Sequence, residues 1–169
     1  MKQFSTILLL AAFCSPAWSA PPATWEGKIN RFVDGDTAWI ERGDKEVKVR
    51  LWLADAPEIK HRPREKDQPG GPEAHAYANK TWSGKQVAVK PKGESYGRIV
   101  AELTEAETQT NVGLDLVSSG HAAVDRRFSP PKPYLAAEQE AREEKRGIWA
   151  DPAAVSPWDW RKRQRVRGK

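Results

Sequence analysis

The chain has 169 residues, a length that fits one domain of ordinary size. Its 28 Lys and Arg outnumber its 23 Asp and Glu, the formal net charge is +5, and a single cysteine excludes a fold stapled by internal disulfides. The only marked apolar run lies at the N-terminus and is too short for a stable bilayer-spanning helix, so we expect no membrane span.

The first residues have the pattern of a secretory signal peptide. Lys2 supplies a positive start, residues 7–13 form a short apolar run, and small residues follow at Ala17 and Ser19. We therefore predict a signal peptide over residues 1–19, cleaved after Ser19. The mature chain would then be exported, either to a periplasm or out of the cell.

Charge is distributed unevenly along the mature chain. Residues 161–169 carry six positive charges and no acids, whereas residues 20–160 carry a net charge of −2. We therefore divide the mature chain into a domain over 20–160 and a basic C-terminal tail over 161–169. Such a cluster suggests contact with a polyanion, and a solvated, frayed terminus is the alternative.

The first half of the mature chain is predicted to be mostly strand. A short strand is expected near residues 25–32, and it ends at an Asp-Gly turn. The next stretch is typical of a hairpin that turns at residues 43–44, because apolar and polar residues alternate cleanly over 47–53. After a loop rich in charge, proline and glycine, a helix is expected from residue 72 until Gly84 ends it.

The second half adds two strands and two helices. The segment QVAVKPKGESYGRIVAEL, residues 86–103, predicts two strands around a glycine-containing turn. Asn111 can cap a short helix, and a polar helix with a Glu138–Arg142 pair is expected over residues 134–146. Because this order of elements is that of the OB-fold, we predict an α+β fold, a five-stranded OB-fold barrel with about three helices.

Two acids flank a glycine in the stretch VDGDT, residues 33–37. Asp36 begins one strand of the predicted hairpin and Asp55 ends the next, so we expect them to be near neighbours, with Asp34 close behind. Such an oxygen-rich pocket suits a hard cation such as Ca²⁺ or Mg²⁺, which would relieve the repulsion between carboxylates. Taken alone, the stretch is explained at least as well by a solvated turn.

Three further residues complete a constellation around these acids. Glu58 lies three residues beyond Asp55, where a carboxylate near a metal can take a proton from attacking water. Arg50 and Arg98 fall on strands and are expected on the outer face of the barrel. There, two guanidinium groups can clamp a phosphodiester and stabilise the charge of its transition state. Each residue alone is explained as an ordinary exposed side chain, but together they point to one site.

Five segments together resemble the staphylococcal nuclease family, also called micrococcal nucleases. They occur in the order VDGDT, RLWLADAPE, GPEAHAYA, SYGR and GIWADP, and the resemblance runs from about Trp25 to Trp149. It implies an OB-fold enzyme that hydrolyses DNA and RNA with Ca²⁺ and leaves 3′-phosphates.

The resemblance also implies roles for six residues. Three would hold the metal, two through carboxylates and one through its backbone carbonyl: Asp36, Asp55 and Ala56. Three would carry the chemistry, the first as general base and the others as phosphate-binding arginines: Glu58, Arg50 and Arg98.

The chain departs from the type sequence of the family where substrate would bind. Ala56 replaces a threonine, Ser95 replaces a lysine, and Tyr96 is kept. A tyrosine pair near the nucleotide base is replaced by Arg126 and Phe128. Phe128 can still stack on a base, whereas Arg126 can stack or grip phosphate. We therefore predict Tyr96, Arg126 and Phe128 as substrate-binding residues and leave the base preference open.

From these observations we predict an exported, monomeric, Ca²⁺-dependent nuclease with little sequence specificity. The first alternative is a non-catalytic OB-fold module that binds single-stranded nucleic acid, but such a module would tolerate loss of Glu58 and of one arginine. The second alternative is a metal-stabilised surface domain anchored by its basic tail, which would not need two outward arginines beside the acids.

Overall fold

The computed structural model of the chain describes residues 23–60 and 66–167. The predicted signal peptide over residues 1–19 lies outside these ranges and stays a prediction. None of the helices in the described ranges combines the length and apolarity that crossing a membrane requires.

A closed barrel of five strands forms the body of the domain. In barrel order the strands are β1 (Trp25–Phe32), β2 (Thr37–Arg42), β3 (Lys45–Leu51), β6 (Arg98–Glu105) and β5 (Gln86–Ser95). All neighbours are antiparallel except β3 and β6, which run parallel. A separate two-stranded sheet pairs β4 (Ala54–Asp55) with β7 (Ala123–Val124). The predicted α+β class and five-stranded OB-fold barrel are confirmed.

Helices alternate with strands along the described part of the chain, and the last two helices follow the last strand. They are α1 (Gly71–Trp82), α2 (Val112–Ser118), α3 (Lys132–Glu143) and α4 (Pro157–Arg167), with short 3-10 turns at Arg126–Phe128 and Gly147–Ala150. Asn111 caps α2 as predicted, since its side chain accepts a hydrogen bond from the Leu114 N–H. Residues 23–60 and 66–167 thus contain one α-helix more than the three or so that the sequence predicts.

The additional helix, α4, includes most of the segment that was predicted to be a basic tail. Ser156 and Asp159 cap its start, because the Asp159 N–H donates to Ser156 Oγ at 3.3 Å and that hydroxyl donates to the Asp159 carboxylate at 2.6 Å. Pro157 at the first helical position is also typical of a helix start. The Ser-Pro-Trp-Asp stretch was therefore a usable signal, but the absence of an apolar stripe obscured the helix.

Helix α3 is displaced from its predicted range of 134–146. It begins two residues earlier and ends at Glu143, because Lys145 adopts a positive φ of 55° that leaves the helix. The Arg146 N–H then closes the end by donating to the Ala141 carbonyl at 2.8 Å. The predicted Glu138–Arg142 pair is present, with a distance of 3.5 Å between nitrogen and oxygen.

The interior of the barrel explains why polar side chains of β3 face the site. Val49 and Leu51 are buried in the core with Ile29 and Ile40, which agrees with the predicted alternation. Arg50, between them, therefore emerges on the opposite side of the strand. That side adjoins the ends of β2 and β4, where the acids lie.

Candidate active site

Asp36 and Asp55 meet at the open end of the β2–β3 hairpin. Thr37 pairs with Arg50 in the ladder, and the Leu51 N–H donates to the Asp36 carbonyl at 2.8 Å. This pairing brings the start of β2 beside the end of the hairpin, and Asp55 follows within β4. The two acids are only 3% and 1% exposed. The structure therefore brings the two predicted metal-binding carboxylates together in a buried position.

Gly35 allows the acidic loop to pack closely against the chain after β4. A Cβ atom at position 35 would lie 2.5 Å from the Cβ of Ala56, so any larger residue would push the loop away. The Ala56 N–H donates to Asp36 Oδ2 at 3.0 Å, and the Asp36 N–H donates to Asp34 Oδ1 at 3.0 Å. The glycine between the two acids thus sets the position of Asp36.

Arg50 holds the two carboxylates together. Its guanidinium donates to Asp36 Oδ1 and to Asp55 Oδ1, each at 2.7 Å, and its side chain is 12% exposed. Burial alone would lower the pKa of Arg50, but the charges of Asp36 and Asp55 raise that pKa above its ordinary value. The expectation of an outward arginine is thus only partly met, because Arg50 lies against the acids rather than free at the surface.

The ionised form of Asp36 is disfavoured in spite of its contact with Arg50. Burial raises the pKa of the Asp36 carboxyl to about 7; Arg50 opposes the shift, and the charges of Asp34 and Asp55 add to it. One guanidinium therefore does not compensate for the burial of Asp36 and the two acids beside it. Further positive charge at this place would relieve the repulsion.

A cavity of about 300 Å³ opens beside the acids. Of the nine residues predicted for the site, six line this cavity: Asp36, Arg50, Ala56, Glu58, Tyr96 and Arg98. Arg98 donates from Nε to the Ser95 carbonyl at 3.4 Å, and Tyr96 is 93% exposed at the rim. Asp55 lines a neighbouring cavity of about 580 Å³. The acids, the candidate base and both arginines therefore occupy one region of the barrel surface.

The two remaining predicted substrate residues lie further out. Arg126 donates to Glu138 of α3 at 2.5 Å and lines only the neighbouring cavity. Phe128 is 43% exposed and lines neither of these two cavities, and the guanidinium of Arg127 lies 5.7 Å from its ring centre. The structure does not bring Arg126 and Phe128 into the cavity beside the acids.

Three arginines that sequence reasoning did not assign to the site line both cavities: Arg127, Arg161 and Arg165. Arg127 is paired with Asp125. Arg161 reaches further, because it donates to Glu58 at 2.6 Å and to both oxygens of Asp55, at 2.6 and 3.1 Å. The sequence around Arg161 indicates only a basic cluster. Its partners lie more than 100 residues away, and no pattern within residues 161–169 predicts them.

The donor set beside the acids suits a hard divalent cation. Asp36 and Asp55 offer carboxylate oxygens and Ala56 offers a backbone carbonyl, which are the ligand types that Ca²⁺ prefers. Within residues 23–60 and 66–167, no group of three or more His, Cys, Asp or Glu side chains is arranged to hold a metal. The predicted set contains only two acidic side chains. Burial, and to a lesser extent the charges of Asp34 and Asp55, raise the pKa of Asp36, and a bound cation would stabilise its ionised form.

A five-stranded OB-fold barrel with acids and arginines around one cavity is a scaffold suited to phosphodiester chemistry. Comparison with known proteins identifies the family. The model of the family described as "Staphylococcal nuclease homologue" matches residues 48–151. The chain belongs to the staphylococcal nuclease family, which confirms the resemblance found in its motifs.

Individual relatives agree with this assignment. The chain is 32% identical over 149 residues to an "Uncharacterized endonuclease" of Escherichia coli, covering 88% of the chain and 92% of that protein. It is 33% identical over 178 residues to "Protein ParB" of Escherichia coli, with coverages of 99% and 94%. It is 30% identical over 157 residues to a "Micrococcal nuclease" of Shigella flexneri, with coverages of 87% and 84%. These relatives support a hydrolase of the nuclease type and favour it over a binding module without catalysis.

Proposed function

We propose that the protein is an exported, Ca²⁺-dependent endonuclease that cleaves DNA and RNA to 3′-phosphate products with little sequence specificity. The observation that carries the proposal is the convergence of acids, a candidate base and arginines on one cavity of the barrel. Family membership and relatives described as endonuclease and micrococcal nuclease support the reaction type.

Asp36, Asp55 and the carbonyl of Ala56 would hold the ion. Bound there, Ca²⁺ would supply positive charge that neutralises the negative charge developing on the phosphoryl oxygens. The oxygen-only donor set favours a hard cation such as Ca²⁺ over metals that prefer nitrogen or sulfur ligands.

Glu58 is the candidate general base, because its carboxylate lines the cavity and can take a proton from the attacking water. Within residues 23–60 and 66–167, Arg50 uses two of its five N–H donors, on Asp36 and Asp55, so others can serve a phosphate. Arg98 lines the same cavity and would steady the phosphate on the leaving-group side. The chain therefore supplies a base and two fixed positive charges for an in-line displacement.

Low sequence specificity follows from the kinds of contact that the site offers. Guanidinium groups grip the phosphate backbone, which every nucleotide shares. Tyr96 and Phe128 present exposed rings that can stack on any base. The basic residues of α4 would add a second contact with the polyanion. We further propose that the chain acts as a monomer, and that export depends on the signal peptide pattern of residues 1–19.

A single set of assays tests this proposal. The purified protein should cleave both DNA and RNA in Ca²⁺ and stop when a chelator is added, and end-labelling should locate the phosphate on the 3′ side. Asp36→Ala and Asp55→Ala should each remove most of the activity and weaken Ca²⁺ binding while the barrel still folds.

Full activity of both variants in chelator would show that the metal assignment is wrong. Tight binding of single strands without any cleavage would favour the binding module instead. Processing of the precursor to a chain that begins at residue 20 would test the proposed export.

A further inference from the structure

Arg161 occupies the space between a candidate metal ligand and the candidate base. Its Nη1 donates to Glu58 Oε1 at 2.6 Å, and its Nη2 donates to Asp55 Oδ2 at 2.6 Å. One guanidinium thus bridges two carboxylates that have separate tasks in the proposed reaction.

These contacts conflict with both tasks. The carboxylate of Asp55 has about four lone-pair positions, and it already accepts one hydrogen bond from Arg50 and two from Arg161. Oε1 of Glu58 accepts a hydrogen bond from Arg161 at 2.6 Å, so this oxygen is less available to the proton of an attacking water. Metal binding at Asp55 and proton abstraction by Glu58 therefore both compete with Arg161 for the same oxygen atoms.

The helix that carries Arg161 is attached weakly enough to move. Among residues 157–166, only Pro157 is buried, whereas α3 buries Tyr134, Glu138 and Ala141 against the body. Apart from Pro157 and the half-buried Trp160 and Arg161, the side chains of α4 as far as residue 166 are exposed, so the helix has little buried surface to lose when it detaches.

The start of α4 is held much more firmly than the rest of the helix. The side chain of buried Gln68 donates to the Val155 carbonyl at 2.6 Å and accepts from the Glu58 N–H at 3.2 Å. This link keeps the beginning of α4 beside the site, so the helix can pivot away without diffusing far from it.

We propose that Arg161 is an internal cation that competes with the divalent metal for Asp55 and with the attacking water for Glu58. The proposal rests on the proposed function, since it assumes that Asp55 binds the metal. Release of α4 frees Asp55 for the ion and Glu58 for the water, and it exposes the arginines of α4 to the phosphates of the substrate. Metal and polyanion therefore act together to open the site.

Direct measurement of Ca²⁺ binding tests the competition. We compare the full chain with Arg161→Gln by calorimetry. Arg163→Gln is the matched control, because it removes the same charge from an exposed position of the same helix. If the contact is closed about 90% of the time, its loss strengthens Ca²⁺ binding about tenfold, whereas screening keeps the control within about twofold.

Hydrogen exchange of the peptide over residues 155–167 gives a second readout that needs only the unaltered protein. Exchange in α4 should be slow in chelator and become faster when Ca²⁺ binds, because the helix leaves the site. In Arg161→Gln it should be fast under both conditions. This measurement keeps the proposal testable even when a variant does not fold.

The outcomes separate this inference from the proposed function. Equal or weaker Ca²⁺ binding by Arg161→Gln, or unchanged protection of α4 in the Ca²⁺-bound protein, overturns the competition and leaves the calcium site intact. No Ca²⁺ binding by either protein overturns the calcium site itself, and the competition with it.

Discussion

Strand β3 and helix α4 each send one arginine to the same carboxylate, yet the two contacts differ in kind. Arg50 lies between the buried residues Val49 and Leu51 of the barrel and is 12% exposed. Arg161 extends from a helix with a single buried residue among residues 157–166 and is 28% exposed. The ion pair of Asp55 with Arg50 is thus part of the barrel scaffold, whereas its ion pair with Arg161 can be broken by movement of α4. The difference lies in what anchors the backbone rather than in the contact itself.

The largest expected effect is on the turnover of a Glu58 variant. Of the two arginines, Glu58 contacts Arg161 and not Arg50. A positioned general base contributes about 10²–10⁴-fold to rate, so Glu58→Gln should lower kcat by that order while nucleic acid still binds. Glu107→Gln, in an exposed turn, is the matched control. Turnover of Glu58→Gln within a few-fold of the unaltered enzyme would assign the base to another residue.

The comparison between the two arginines can be tested by stability in the absence of metal. Arg50→Ala leaves two buried carboxylates without their shared partner, and breaking a buried ion pair costs about 3–5 kcal/mol. Arg161→Ala leaves Asp55 paired with Arg50, so we expect a loss of about 1 kcal/mol or less. Denaturant unfolding in chelator measures the free energy of unfolding of both variants. Equal losses of stability would show that the two arginine contacts do not differ in this way.

A smaller effect is expected from the titration of Asp36. Its pKa is raised from 3.8 to about 7 by burial, with Arg50 opposing the shift, so the folded state binds its proton more tightly than the unfolded state. This group therefore stabilises the metal-free fold below pH 3.8, and that contribution is lost as pH rises towards 7.

The measurement is the free energy of unfolding of the unaltered chain and of Asp36→Asn in chelator across this pH range. The unaltered chain should lose stability relative to the variant as pH rises and then level off above pH 7. A difference between the two proteins that does not change with pH would contradict the raised pKa.

The smallest effect concerns the solvent-facing side of α4. Each phosphate contact contributes a slope of about 0.9 to the salt dependence of binding to duplex DNA. Replacing Lys162 and Arg163 with Gln while keeping Arg161 and Arg165 should flatten the salt dependence on long DNA by roughly 2 units. The apparent KM at low salt should rise, whereas kcat on a dinucleotide-sized substrate should stay nearly unchanged. Equal slopes would mean that this face of α4 is merely solvated.

Local patterns determined much of the architecture. The alternation around Val49 and Leu51 and the turn at residues 43–44 predicted the hairpin that the structure contains. Register in a hairpin follows from its turn, so the proximity of Asp36 and Asp55 was predictable from residue spacing alone. The family motifs also located the acids, the base and the arginines, because most of these residues lie within short segments of the sequence.

Only the tertiary structure decided which partners the charged side chains find. The pairing of Arg126 with Glu138 and the position of Arg161 between Asp55 and Glu58 depend on where α3 and α4 lie against the barrel. Those contacts join residues far apart in sequence, and a basic helix without an apolar stripe has no periodicity that reveals its docking face. Charge composition predicted that residues 161–169 would attract something negative, and the folded chain supplies acids of its own for Arg161.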